Sequence, residues 1–254
     1  MFPHPWLLAA VTVGSVALIA GPVSAWTRRY VREPLSDRSK VDAEADLEAS
    51  STAPTSAPDP PTERAEYPSL THPGFLSPAL QGLLALALCS FCAWWGIATG
   101  TLMPAIVAIP VYAMLGCAAS VDGVAHLLPN RILGATTAWL VVCGIVAVAL
   151  DPTRVHAALT AALCALAAGG ISLLLALFRS GLGLGDVKLC VVIGLWLGWH
   201  SPWMLTFGLC MGVFLGGIAA LVLLVTRRAS RKDPMAYGPY LIAGALLTWP
   251  LAII

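Results

Sequence analysis

Outside one polar stretch, residues 33–77, the 254-residue chain keeps four carboxylates: Asp122, Asp151, Asp186 and Asp233. The chain is 58% hydrophobic and 11% charged, with a mean hydropathy of +0.83. An ionisable group at a membrane boundary costs free energy, so each of the four needs a reason. Asp151 precedes Pro152 and Asp233 precedes Pro234 beside the basic run RRASRK; a turn and a solvated loop account for them. Asp122, in AASVDGVAHLLPNRI, and Asp186, in SGLGLGDVKL, have no such account. Two carboxylates in one partly dry site cannot both ionise cheaply; they share a proton and titrate as a pair. One then acts as general base on a water while the other donates to a carbonyl oxygen. That is peptide hydrolysis with no metal and no nucleophilic side chain. A proton-coupled membrane transporter or channel would use the same pair as a proton site, and this is the alternative reading. Clustered glycines and the lack of acids deep within the apolar runs favour the peptidase, since proton relays more often set carboxylates near the midplane.

The elements that must position the pair are membrane helices. A crossing helix needs about 20 apolar residues, and the long Leu- and Ala-rich runs predict spans near 5–26, 78–99, 103–121, 132–150, 156–178, 187–200, 203–226 and 236–254. The fold class is therefore all-α, a polytopic bundle of about eight transmembrane helices. Pro202 in HSP divides the run 187–226, because the residue before a proline avoids helix. With eight spans, 13 of the 14 basic residues fall in loops on one side, Arg154 being the exception. The positive-inside rule makes that side cytoplasmic and puts Asp122 and Asp186 on it, at similar depth and from different helices. Residues 1–26 read as an uncleaved first span. Residues 27–77, containing EASSTAPTSAPDPPTERAE and nine of the 13 acidic residues, read as a disordered cytoplasmic linker. The embedded core spans 78–254. A net charge of +1 and the absence of basic runs interleaved with aromatics argue against nucleic acid as a partner.

Gly181, Gly183 and Gly185 can adopt positive φ and let an extended peptide approach Asp186. Asp186 itself can cap the following helix, whose dipole favours the charged form. The spacing in GLGLGD does not fit a dinucleotide loop, and no strand precedes it.

These residues resemble a known family. GLGDVKL is similar to the GxGD signature of the type IV prepilin peptidases, which are membrane aspartic proteases. DGVAHLLPN resembles their second motif, an Asp followed seven residues later by Pro, here Asp122 and Pro129. AYGPYLIAGAL at 236–246 is similar to their C-terminal Pro-Phe-Gly-Pro-Phe segment, with Tyr for Phe twice and Ala for the first Pro. The resemblance covers roughly residues 103–250. It implies that Asp122 and Asp186 are the catalytic pair. It also implies a bacterial inner-membrane enzyme that cleaves the basic leader of prepilin-like precursors on the cytoplasmic side, commonly after a glycine. Longer members carry two zinc-binding CxxC pairs after the first span and also N-methylate the product. Residues 27–77 hold no cysteine, so the sequence reads as a short form with no zinc, no cofactor and doubtful methyltransferase activity.

Around the pair, Gly183, Gly185, Lys188, His126 and Pro129 are the residues expected to shape the site or touch substrate. His126 shares a helical face with Asp122 if helix continues there. For Lys188, Arg131 and Arg179 the plain expectation is snorkelling to the interface. Trp139, Trp196, Trp199, Trp203 and Trp249 suit an interfacial belt, and Gly212, Gly216 and Gly217 suit close helix packing. Cys89 and Cys92 in CSFC lie within a span, where a thiol is usually a small buried hydrophobe. Oligomeric state is not legible.

Overall fold

The computed structural model describes residues 5–29, 31, 77–125, 128–178, 183–226 and 236–254. Among them the chain forms eight α-helices and no strand. Helix α1 (Pro5–Leu18) runs on through a π-turn at Ile19–Val23, which holds Pro22, to complete a span of Trp6–Arg29. Then come α2 (Pro78–Ala98), α3 (Leu102–Ala125), α4 (Asn130–Leu150), a 3₁₀ turn (Pro152–Arg154), α5 (Val155–Leu177), α6 (Leu184–Gly198), α7 (Pro202–Val225) and α8 (Gly238–Ala252). The α1 span, α2, α3, α4, α5 with its 3₁₀ turn, and α7 are long and apolar enough to cross a membrane. The chain is thus an all-α polytopic bundle, and each expected span corresponds to a helix.

Two helices are short for a membrane crossing. α6 and α8 have 15 residues each, a rise of about 22 Å against roughly 30 Å of hydrocarbon. Both begin at the end of the bundle where α3 finishes.

Local sequence explains the punctuation. Ser77 caps α2 by accepting the Leu80 N–H at 3.3 Å, with Pro78 at the first helical position. Gly100, at φ +70°, turns the chain from α2 into α3, a conformation that favours glycine. Ser201 is extended, its hydroxyl accepts the Trp203 N–H at 3.2 Å, and Pro202 opens α7. That is the division expected within 187–226.

Helices approach most closely in the pairs α5–α6, α7–α8 and α2–α3. On α6, a Cβ at Gly194 would stand 2.7 Å from the Ala165 Cα and 2.8 Å from the Cys164 carbonyl of α5. Gly208, Gly212 and Gly216 make the stripe by which α7 receives α8, where a Cβ at Gly212 would meet the Leu241 Cα at 2.8 Å. Gly217, expected in this stripe, has nothing within 4 Å of its would-be Cβ; it lies one residue, about 100°, off the packed face.

At the centre Tyr112, Trp196 and Trp249 form a buried aromatic cluster joining α3, α6 and α8. Pro250 lacks the N–H that would bond the Leu246 carbonyl, and the Tyr112 hydroxyl donates to that carbonyl instead at 2.6 Å. The expectation of an interfacial belt therefore fails for Trp196 and Trp249: they are 3% and 1% exposed, because their large rings fill the core. Trp203, 80% exposed, remains on the surface.

Candidate active site

Asp122 lies inside α3, not beyond it as a span ending at 121 would require. The reason is packing. Val121 and Val124 form a small apolar cluster with Val31, and this burial carries the helix past the carboxylate to Ala125. Asp186 lies in the first turn of α6 as its third residue, and Gly183 takes the flanking position expected for the acid itself. Gly183 is extended, at φ −78° and ψ 155°. Its N–H donates to Asp186 Oδ2 at 3.2 Å, and the Asp186 N–H returns to the Gly183 carbonyl at 3.0 Å. A carboxylate in the first turn, turned back on an orphan amide, is favoured by the helix dipole.

The glycines serve a different purpose from the one expected. Neither Gly183 nor Gly185 has positive φ. Gly185 is helical, and its missing side chain makes room for Leu128: a Cβ there would lie 3.1 Å from the Leu128 Cβ and 3.3 Å from its Cδ1. Leu128 also reaches α8, where its Cδ1 stands 3.1 Å from the would-be Cβ of Gly238. That same Cβ would overlap Oδ2 of Asp122 and lie 3.2 Å from its Cγ. The Asp122 carboxylate thus lies directly against the first residue of α8. The end of α3, the start of α6 and the start of α8 thus converge around Leu128. Asp122 and Asp186 are 4% and 8% exposed and lie to either side of the Leu128 contact. Two buried carboxylates at one such junction can hold one proton between them and polarise a water.

Around the pair, Pro129 is buried at the flank of α4, and its carbonyl accepts the N–H groups of Ile132 and Leu133 at 3.0 and 3.2 Å. Lys188, exposed on α6, donates to Asn130 Oδ1 at 3.0 Å, tying α6 to the first turn of α4. Arg131 lays its guanidinium 5.7 Å from the centre of the Trp26 ring, a cation–π contact from α4 to α1 in place of the expected free snorkelling. His126, Gly181, Arg179 and Asp233 lie outside the described residues, as does 27–77 apart from 27–29, 31 and 77.

Cys89 and Cys92 are fully buried between α2 and α3, where their thiols donate to the carbonyls of Ile109 and Ala105 at 3.5 and 3.8 Å. Among the described residues no three His, Cys, Asp or Glu side chains gather as a metal would need. In the sequence Leu128 and Gly238 stand only within the motifs DGVAHLLPN and AYGPYLIAGAL, with no contact assigned to either. The available signal was the Gly-Pro step opening α8, which places a residue without a side chain at the helix start.

Residues 109–225 match the model of the type IV leader peptidase family. The chain is 38% identical over 74 residues to the prepilin leader peptidase/N-methyltransferase of Aeromonas hydrophila, a match covering 28% of this chain and 24% of that protein. It is 36% identical over 73 residues to the Pseudomonas aeruginosa protein of the same name, again covering 24% of the relative. It is 29% identical over 177 residues to the Bacillus subtilis one, covering 69% of this chain and 66% of the relative. The chain thus covers about a quarter of the first of these relatives. No solved structure gives a significant match.

Proposed function

We propose that the chain, which matches the model of the type IV leader peptidase family over residues 109–225, is an aspartic endopeptidase of the bacterial inner membrane, cleaving the leader of prepilin-like precursors at the cytoplasmic face. Asp122 and Asp186 are its catalytic pair. The observation that carries this reading is the burial of both carboxylates at one end of the bundle, where α3, α6 and α8 converge around Leu128.

The pair enters the reaction with one proton between its two members. The ionised carboxylate takes a proton from water, and the water oxygen bonds to the scissile carbonyl carbon. The protonated carboxylic acid gives its proton to the carbonyl oxygen, leaving a neutral tetrahedral diol. Collapse of the diol re-forms a carbonyl, breaks the C–N bond and delivers a proton to the departing amine, so the pair returns to its starting charge. Gly183 supplies the N–H that holds Asp186. Gly185 admits Leu128 against the first turn of α6. Pro129 and the Lys188–Asn130 bond fix the start of α4 beside it, and His126 is proposed to contact substrate. The substrate's own apolar helix lies in the bilayer against the bundle. The methyltransferase named in the relatives is not carried over, because the first of them is matched over only 24% of its length and residues 27–77 lack cysteine.

The test is co-expression of a prepilin-like precursor with wild type, Asp122→Asn or Asp186→Asn. Loss of leader removal in both variants, at unchanged enzyme level in the membrane, supports the reading. Complete processing by either variant removes that residue from catalysis and ends the dyad account.

A further inference from the structure

We propose that Gly238 is a positioning residue for Asp122: the space left by its missing side chain holds the carboxylate turned toward Asp186. The inference rests on the peptidase reading and deepens it by assigning the start of α8 a task in the reaction.

Gly238 is buried and is the first residue of α8. The Asp122 carboxylate lies against it, on the side where a side chain would stand. The volume a side chain would occupy is already full. Any Cβ there would overlap Oδ2 of Asp122 and crowd the Leu128 Cδ1 at 3.1 Å. One of three things would have to give: the α8 backbone, Leu128 or the carboxylate. The helix is the least able to move. Its next turn is locked to α7, where Gly212 faces the Leu241 Cα and the Tyr240 carbonyl, and Gly244 faces Gly208 and Gly212. Farther along, the Tyr112 hydroxyl holds the Leu246 carbonyl at 2.6 Å, and Trp95 Nε1 holds that of Pro250 at 3.0 Å. The Asp122 carboxylate, by contrast, turns about two side-chain bonds. An added methyl is therefore accommodated by rotating the carboxylate out of the pair. Gly123, the neighbour of Asp122 on α3, is the contrasting position: a Cβ there would meet only Pro239 Cγ at 3.9 Å, ordinary contact.

The experiment compares wild type, Gly238→Ala and Gly123→Ala as purified full-length enzymes in detergent, cleaving a prepilin-like precursor, with kcat and KM measured separately. Thermal unfolding of Gly238→Ala is followed in two backgrounds, wild type and Asp122→Ala. If wild type does not cleave the precursor, the peptidase reading fails, and this inference fails with it. If wild type cleaves, misplacing one reacting carboxylate by about an ångström lowers kcat of Gly238→Ala about 100-fold with KM nearly unchanged, and Gly123→Ala keeps the wild-type rate. The stability lost in Gly238→Ala returns in the Asp122→Ala background, because the methyl then occupies the vacated space. Should Gly238→Ala fail to fold, recovery of folding in the double variant carries the same support. A kcat equal to wild type, a KM that rises as far as kcat falls, or equal destabilisation in both backgrounds overturns the inference while leaving the peptidase reading intact.

Discussion

Asp151 and the Asp122–Asp186 pair are the same functional group at opposite ends of the bundle, and the fold treats them in opposite ways. Asp151 is solvent-exposed, and its own turn satisfies it. It accepts the Thr153 N–H at 3.2 Å, the Thr153 hydroxyl at 2.6 Å and Arg154 Nε at 3.2 Å. Three donors within three residues make it a capping group with little acceptor capacity left. Asp122 and Asp186 are buried; Asp186 accepts the Gly183 N–H at the start of α6, and Asp122 lies against Gly238 at the start of α8. No cation is paired with either among the described residues, where the one ion pair is Arg154–Asp151. A carboxylate with lone pairs unspent, beside a second carboxylate, is poised to accept a proton from something that arrives. The difference separates an acid that holds a turn from acids that are available for chemistry.

The largest expected effect breaks that comparison most sharply. Asp122→Asn and Asp186→Asn should each lower kcat for precursor cleavage on the order of 100- to 10,000-fold, the worth of a general acid or base. Asp151→Asn should leave the rate unchanged in the same assay. Next comes Gly185→Ala, which puts a methyl 3.1 Å from the Leu128 Cβ. A shift of a few tenths of an ångström in the Asp186 turn should cost about 10-fold in kcat, and Leu128→Ala in the same chain should recover part of the loss. A smaller effect is expected from Lys188→Met, which removes an exposed hydrogen bond to Asn130; its loss of about 1 kcal/mol or less should appear in thermal stability, with kcat within a few-fold of wild type. Smallest of all is an acid titration of Asp151. The Thr153 hydroxyl and then Arg154 hold its carboxyl below the ordinary value. Whatever stability this gives is fully present above the unfolded-chain value, about 3.9, and is lost as pH falls through the lower folded value. Melting curves of wild type and Asp151→Asn should therefore differ slightly near neutrality and converge in acid.

How much of this was legible before the structure follows from what each signal depends on. The helices were readable because lipid demands long apolar runs, and the HSP break was readable because Pro202 restricts Ser201 locally. Asp122 and Asp186 stood out by subtraction, since the apolar runs offer so few carboxylates. Three-dimensional choices were not readable. The helical course of α3 past Asp122 depends on Val31, some 90 positions away in the chain, packing on Val121 and Val124. Trp196 and Trp249 sit near helix ends in sequence, yet they meet Tyr112 in the core through the packing of three separate helices. Gly183 and Gly185 looked like φ-permissive residues, whereas one is extended and the other gives way to Leu128, a neighbour that no local pattern names. Gly238 was hidden for the same reason, since a missing side chain is informative only once the atom filling its place is known.

The central claim is that the two acids work as one unit, and the kcat of the double variant Asp122→Asn/Asp186→Asn tests it most directly. Groups that share one proton and one water lose their joint effect when either is removed, so the double variant should cleave no more slowly than the slower single variant. If the two losses multiply instead, or if either single variant keeps the wild-type rate, the acids act separately and the account is wrong.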